Sequence, residues 1–106
     1  MKILFAGTPA FAVQPLETLI KTCEVVAVIT QEDKIQGRKK LLTPSPVKTC
    51  ALSHNLPVFQ PHKIREHIDR LKAFRADAMV TCAYGQILTQ EVLDCFPKGV
   101  WNIHAG

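Results

Sequence analysis

The sequence predicts an α/β fold: a doubly wound parallel sheet of about five strands, in the order 3-2-1-4-5, with helices on both faces. Three observations point to it. The runs Lys2 to Ala6, Val25 to Thr30 and Ala78 to Ala83 are apolar without polar alternation, as strands buried on both faces are. Stretches with helical spacing separate them, and strands alternating with helices give right-handed crossovers and a parallel sheet. Three of the four predicted helices also open or close on a recognisable cap or breaker.

Taken in order, the first strand ends at Gly7-Thr8-Pro9, where Thr8 is expected to cap and Pro9 to open a helical turn. Pro15 interrupts that turn, so a short turn near residues 10 to 14 is expected, then a helix from Pro15 to Thr22 carrying Leu16, Leu19 and Ile20 on its buried face. After the second strand, residues 31 to 44 show no periodicity and read as a long loop, a length that compact domains usually reserve for function. Ser45-Pro46 starts a helix ending near His54-Asn55. Val58-Phe59 is a short strand, and a helix runs from Lys63 to Phe74 with Ile64, Ile68 and Leu71 on one side. Thr89 caps a brief helix ending at Phe96-Pro97, and the last strand is Val100 to His104. The arrangement is Rossmann-like. Its topological switch point lies between strands 1 and 4, where ligands meet the carboxyl ends of the strands. Gly7-Thr8-Pro9, Tyr84 to Leu88 and Asn102 to His104 should converge on that edge.

A chain of 106 residues has room for one domain. Its hydrophobic content of 47% is that of a globular protein, no apolar run is long enough to span a membrane, and the short apolar start is no signal peptide. A cytoplasmic location is expected. Cys23, Cys50, Cys82 and Cys95 form no C-x-x-C pair, so they read as buried free thiols rather than metal ligands or a disulfide framework. The net charge of +4 is concentrated in residues 31 to 48, where Lys34, Arg38, Lys39, Lys40 and Lys48 outnumber Glu32 and Asp33. Such a segment suits a polyanion such as nucleic acid, although a solvated loop has the same composition.

Asn102 and His104 are the candidate catalytic pair. Two residues apart on a strand, they share a face at roughly 6.6 Å. A polar pair at the end of a buried strand is costly unless satisfied or used, and residue types alone leave a structural pair and a catalytic pair equally open. The chemistry suits acyl transfer, with imidazole handling protons and an amide donating to an oxyanion. Gly7-Thr8-Pro9 lacks the G-x-G-x-x-G of dinucleotide binding, and Asp33 is a weak match to a ribose-binding acid. His54, His62 and His67 read as solvated and without ligand spacing. Tyr84 and Phe11 read as core. No serine or cysteine sits in a nucleophile elbow.

The string Phe5-Ala6-Gly7-Thr8-Pro9 with Phe11-Ala12-Val13, Thr30-Gln31, Asp33, Gly37-Arg38, Lys39-Lys40-Leu41 and Pro44-Ser45-Pro46-Val47-Lys48 resembles the methionyl-tRNA formyltransferases. Leu56-Pro57-Val58, Gln60-Pro61, Ala83-Tyr84-Gly85, Ile87-Leu88 and Asn102-Ile103-His104-Ala105 continue the match in order, over the whole chain. The resemblance implies formyl transfer from 10-formyltetrahydrofolate, the formyl donor, to the amino group of methionyl initiator tRNA, without a metal. It implies that Asn102 and His104 are two members of an Asn-His-Asp catalytic set. Tyr84, Gly85, Gln86, Ile87 and Leu88 would line the folate pocket, and Gly7, Thr8, Pro9 and Phe11 would border the methionyl end. Arg38, Lys39 and Lys40 would approach the acceptor stem.

Departures accompany the match. Glu32 stands where relatives have proline, and the chain ends at Gly106 where they continue into Ser-Leu-Leu-Pro, the catalytic aspartate and a tRNA-binding barrel. Residues 1–106 are therefore expected to be the N-terminal part of the catalytic domain, a truncated piece inert by itself. Full-length relatives are expected to be monomers, whereas this piece, with its open last strand, is expected to self-associate. Two other readings use the same residues: a different folate-dependent formyltransferase or deformylase, and a non-catalytic module binding tRNA or folate.

Overall fold

A computed structural model describes residues 1–104. Its centre is β1 (Lys2–Gly7), in which every residue after Lys2 is buried. β2 (Glu24–Ile29) and β6 (Ala78–Cys82) flank it in parallel, β5 (Val58–Phe59) extends the sheet beyond β2, and β7 (Val100–Asn102) extends it beyond β6. The order β5-β2-β1-β6-β7 is the 3-2-1-4-5 winding expected.

Because successive side chains of a strand point to opposite faces, β1 feeds two cores. Ile3 and Phe5 pack with Leu16 of α1 (Val13–Thr22) and with Val47, Cys50 and Ala51 of α2 (Pro46–Ser53). Leu4 and Ala6 pack on the other face with Leu71 of α3 (Ile68–Ala73) and Val92 of α4 (Gln90–Leu93). No helix among the described residues is long and apolar enough to cross a membrane.

Two helix starts are built as their sequences dictate. Ser45 Oγ accepts the Lys48 amide at 3.0 Å with Pro46 behind it, and Thr89 Oγ1 accepts the Val92 amide at 3.4 Å. Other boundaries differ for identifiable reasons. α1 begins at Val13, not Pro15, because Pro15 falls in the first turn, where a backbone N–H has no helical partner to lose. The helix expected from Lys63 to Phe74 is divided. A 3-10 turn (Ile64–Glu66) meets His67, whose φ of −124° and ψ of 40° leave helical space, and the ring of His67 stacks edge-on against Phe59 at 5.3 Å. His67 is thus half-buried rather than solvated.

The expected long loop contains a hairpin, β3 (Lys34–Gln36) and β4 (Leu41–Thr43), paired Ile35 to Leu42 and turned at Gly37 with φ +78°. Ile35, Leu41 and Leu42 are exposed on it beside Arg38, Lys39 and Lys40. The last strand stops at Asn102, so His104 lies just past the sheet instead of in it.

Candidate functional site

Three segments meet at the carboxyl edge of the sheet, tied by side-chain hydrogen bonds. Thr8, expected as a helix cap, does something else. Its hydroxyl donates to the Tyr84 carbonyl at 2.8 Å and accepts the Gln31 amide at 3.4 Å, joining the exits of β1, β2 and β6. The cap position belongs to Pro9, whose ring has no hydrogen-bond acceptor to offer.

Asn102 and His104 are both exposed at this rim, and Asn102 Nδ2 lies 3.4 Å from His104 Nε2. The register of β6 and β7 sets Thr81 directly beside Asn102. Thr81 Oγ1 donates to Asn102 Oδ1 at 2.9 Å, which fixes the amide so that its N–H₂ faces His104 and solvent. An amide donor and an imidazole side by side on an open rim can hydrogen-bond a carbonyl oxygen as it gains charge. Beside them Phe11, Gln14, Pro15, Thr18, Leu19, Cys82 and Ile103 form a shallow cleft that includes His104. Phe11, read as core from the sequence, is half exposed in its wall.

Gly85, Gln86 and Ile87 line a different cleft, of about 290 Å³, with His62, Lys63, Ile64 and Arg65. Ile87 presents its side chain to solvent, Leu88 packs partly against the second core, and Tyr84 is buried there with no hydrogen-bond partner for its hydroxyl among the described residues. Burial pushes the Tyr84 phenol well above its ordinary pKa. Among the described residues, the backbone N–H groups of residues 85–88 donate to no other protein group. Thr8 and Pro9 face a third cleft at the foot of the hairpin, bordered by Glu32, Lys34, Thr43 and Ser45, while Arg38, Lys39 and Lys40 stand exposed at the hairpin tip. The fold therefore gathers the predicted residues on one edge without putting them all in one pocket.

Two glutamines hold the centre of this edge together, one with no role assigned from the sequence (Gln31) and one expected only as pocket lining (Gln86). Gln31 Nε2 donates to the Gly85 carbonyl at 3.0 Å and its Oε1 accepts from Gln86 Nε2 at 2.9 Å. Gln86 Nε2 also reaches the carbonyls of Pro61 and His62, while its Oε1 takes the Ile64 amide at 2.7 Å. Gln86 is thereby a brace whose side chain is used within the protein. Gln31 could have been singled out by the rule applied to Asn102, a polar residue just beyond a buried strand. Its partners lie more than fifty residues away, beyond any local pattern. Gln31→Ala is expected to cost about 1 kcal/mol and to speed hydrogen exchange of the Ile64 amide, which the Gln86 brace holds, leaving the β1 amides protected.

Asp33, a weak ribose-binding candidate, is occupied otherwise. Its carboxylate accepts Gln60 Nε2 at 2.8 Å and receives Lys48 Nζ at 3.1 Å on both oxygens. The Gln60 hydrogen bond first, and the Lys48 ammonium next, hold its pKa below the ordinary 3.8. The pair anchors the hairpin foot to α2.

Comparison with known proteins agrees with this layout. The family model described as formyl transferase matches residues 1–106. Methionyl-tRNA formyltransferase of Listeria welshimeri is 51% identical over 106 residues, covering 98% of this chain and 34% of the relative. That of Bacillus subtilis is 51% identical over 107 residues with the same coverage. The chain thus spans about a third of the length of these relatives. Among solved structures, phosphoribosylglycinamide formyltransferase of Bacillus halodurans superposes with a TM-score of 0.71 at 17% identity, over 98% of this chain and 56% of that one. Glycinamide ribonucleotide transformylase 1 of Geobacillus kaustophilus gives 0.67 at 18%, over 97% and 56%. At such identities the structures speak for the Rossmann-like fold alone. With the family model matched from the first residue to the last, on a sheet wound and edged as described, the chain belongs to the formyl transferase family.

Proposed function

We propose that this chain is part of the catalytic domain of a cytoplasmic methionyl-tRNA formyltransferase, which moves the formyl group of 10-formyltetrahydrofolate onto the methionyl amine of initiator tRNA. The observation that carries the reaction type is the Asn102 amide, clamped by Thr81 with its donors turned outward beside His104. As the amine adds to the formyl carbon, the Asn102 N–H and the His104 ring hydrogen-bond the developing oxyanion. Collapse breaks the bond from that carbon to the donor nitrogen, which takes up a proton while the amine loses one. Among the described residues no carboxylate pairs with the His104 ring, whose partner is Asn102.

The donor's flat heterocycle fits the cleft at residues 85–87. Its volume falls at the lower end for ligand sites, Ile87 offers an apolar face, and the backbone N–H groups of residues 85–87, unpaired among the described residues, are available as donors. Phe11, in the cleft that includes His104, and Gly7 to Pro9, at the cleft by the hairpin foot, would border the methionyl end. Substrate choice is supported by the names of the relatives that are half identical to this chain, and by the hairpin, whose exposed cations suit a phosphate backbone and whose apolar side chains suit base faces.

The test is formyl transfer to charged initiator tRNA by the polypeptide carrying this chain at the length of its relatives. Formylation of glycinamide ribonucleotide instead would overturn the substrate assignment. The combined change Arg38→Ala, Lys39→Ala and Lys40→Ala is expected to flatten the fall of log K with log salt by about 0.9 for each phosphate no longer neutralised, and to leave folate affinity unchanged. An unaltered slope would remove the hairpin tip from the tRNA interface.

A further inference from the structure

Away from the sheet edge, one group of side chains has no part in the proposed reaction. Glu17 stands on α1, and Cys50 and His54 follow one another by one turn on α2 and at its end. His54 has no ligand spacing to another histidine, but four residues on a helix place it on the same face as Cys50. Glu17 Oε2 lies 3.9 Å from His54 Nε2, and one ligand atom from each of the three residues lies within 4.8 Å of the other two. Among the described residues no hydrogen bond engages any of these three side chains beyond that long approach. Cys50 is buried against the first core, whereas the Glu17 and His54 side chains are 49% and 38% exposed. The cluster has a sulfur floor and an open mouth.

We propose that Glu17, Cys50 and His54 form a binding site for a thiophilic divalent cation of the zinc class, which joins α1 to α2. Thiolate, imidazole and carboxylate in one site suit zinc and disfavour magnesium and calcium, which prefer oxygen ligands. Bonds of about 2.0 to 2.3 Å in tetrahedral geometry put ligand atoms roughly 3.3 to 3.6 Å apart. Closing the cluster therefore asks for a contraction of at most about 1 Å, and the exposed Glu17 and His54 side chains supply it by changing rotamer. The Cys50 thiol gives its proton to solvent as the sulfur–metal bond forms, water fills the open fourth position, and no electron is transferred. The joined helices are the one that follows the Gly7-Thr8-Pro9 turn and the one whose Ser45 and Lys48 hold the hairpin foot. An occupied site would stiffen both approaches to the sheet edge.

Titration of the reduced chain with Co²⁺ tests this. One equivalent is expected to give thiolate-to-cobalt charge transfer in the near ultraviolet and tetrahedral bands in the visible, both erased by one equivalent of Zn²⁺. Cys50→Ser should abolish the charge transfer, and His54→Ala and Glu17→Gln, at exposed positions that folding tolerates, should each weaken binding at least tenfold. Cys23→Ser, Cys82→Ser and Cys95→Ser should keep the signal. Zn²⁺ should also raise the melting temperature of the chain but not that of His54→Ala. Absent charge transfer, charge transfer that survives Cys50→Ser, or an equal rise in melting temperature without His54 would each overturn the site. None of these readouts involves folate or tRNA, so the outcome is independent of the proposed reaction.

Discussion

Gly7→Ala is expected to lower stability by about 3 kcal/mol, at the upper end of what overpacking a core costs, and the melting temperature by about 15 °C for a domain of this size. Gly7 closes β1, where the added Cβ would lie 2.8 Å from Phe5 Cε2, 2.9 Å from the Cys82 carbonyl oxygen and 3.2 Å from Ala12 Cβ. None of the three can easily give way. The Cys82 carbonyl belongs to β6, the strand paired with β1 at that register, and Phe5 and Ala12 are fully buried. Relief would have to come from parting β1 and β6 at the edge where Thr8 reaches the Tyr84 carbonyl. Gly37→Ala is the control. A Cβ there meets nothing, and only the positive φ of +78° opposes it, at a cost of about 1 kcal/mol. Thermal unfolding followed by circular dichroism decides. Equal drops for the two variants would show that β1 and β6 part readily and that the close approach at Gly7 does not require glycine.

The contrast between Gly7 and Gly37 also marks how far the sequence could be read. β1, β2 and β6 were legible because burial on both faces leaves an unbroken apolar run, and their order followed from crossover handedness. Ser45 and Thr89 were legible because a capping side chain acts within three residues of itself. What escaped depends on partners far along the chain. His67, where the helix breaks, packs on a ring eight residues earlier, and Thr8 serves a carbonyl seventy-six residues later. The β3–β4 hairpin escaped for the opposite reason: it packs on neither core, so its apolar residues follow no burial pattern. At the candidate site, the spacing of Asn102 and His104 was visible, whereas the hydroxyl that orients Asn102 comes from the neighbouring strand by a register no local signal encodes.

That hydroxyl shapes the second large effect. In the polypeptide carrying this chain at the length of its relatives, Asn102→Ala is expected to reduce kcat for formyl transfer by about 10² to 10³, the usual loss for one oxyanion donor, with little change in KM. The split follows because the amide is asked to meet charge that exists only in the transition state. Stability should move by less than about 0.5 kcal/mol, since the residue is exposed. Thr81→Val separates orientation from donation. It keeps the shape of the side chain and removes the O–H that holds Asn102 Oδ1, so the amide can turn its oxygen toward the incoming carbonyl. An amide that spends part of its time reversed should cost about tenfold in kcat, while the Asn102→Ala, Thr81→Val double variant should be no worse than Asn102→Ala alone. Single-turnover kinetics with charged initiator tRNA measure each value. If Asn102→Ala retains kcat within about threefold, or if the two losses multiply, the amide is not the donor at this rim and its place beside His104 is structural.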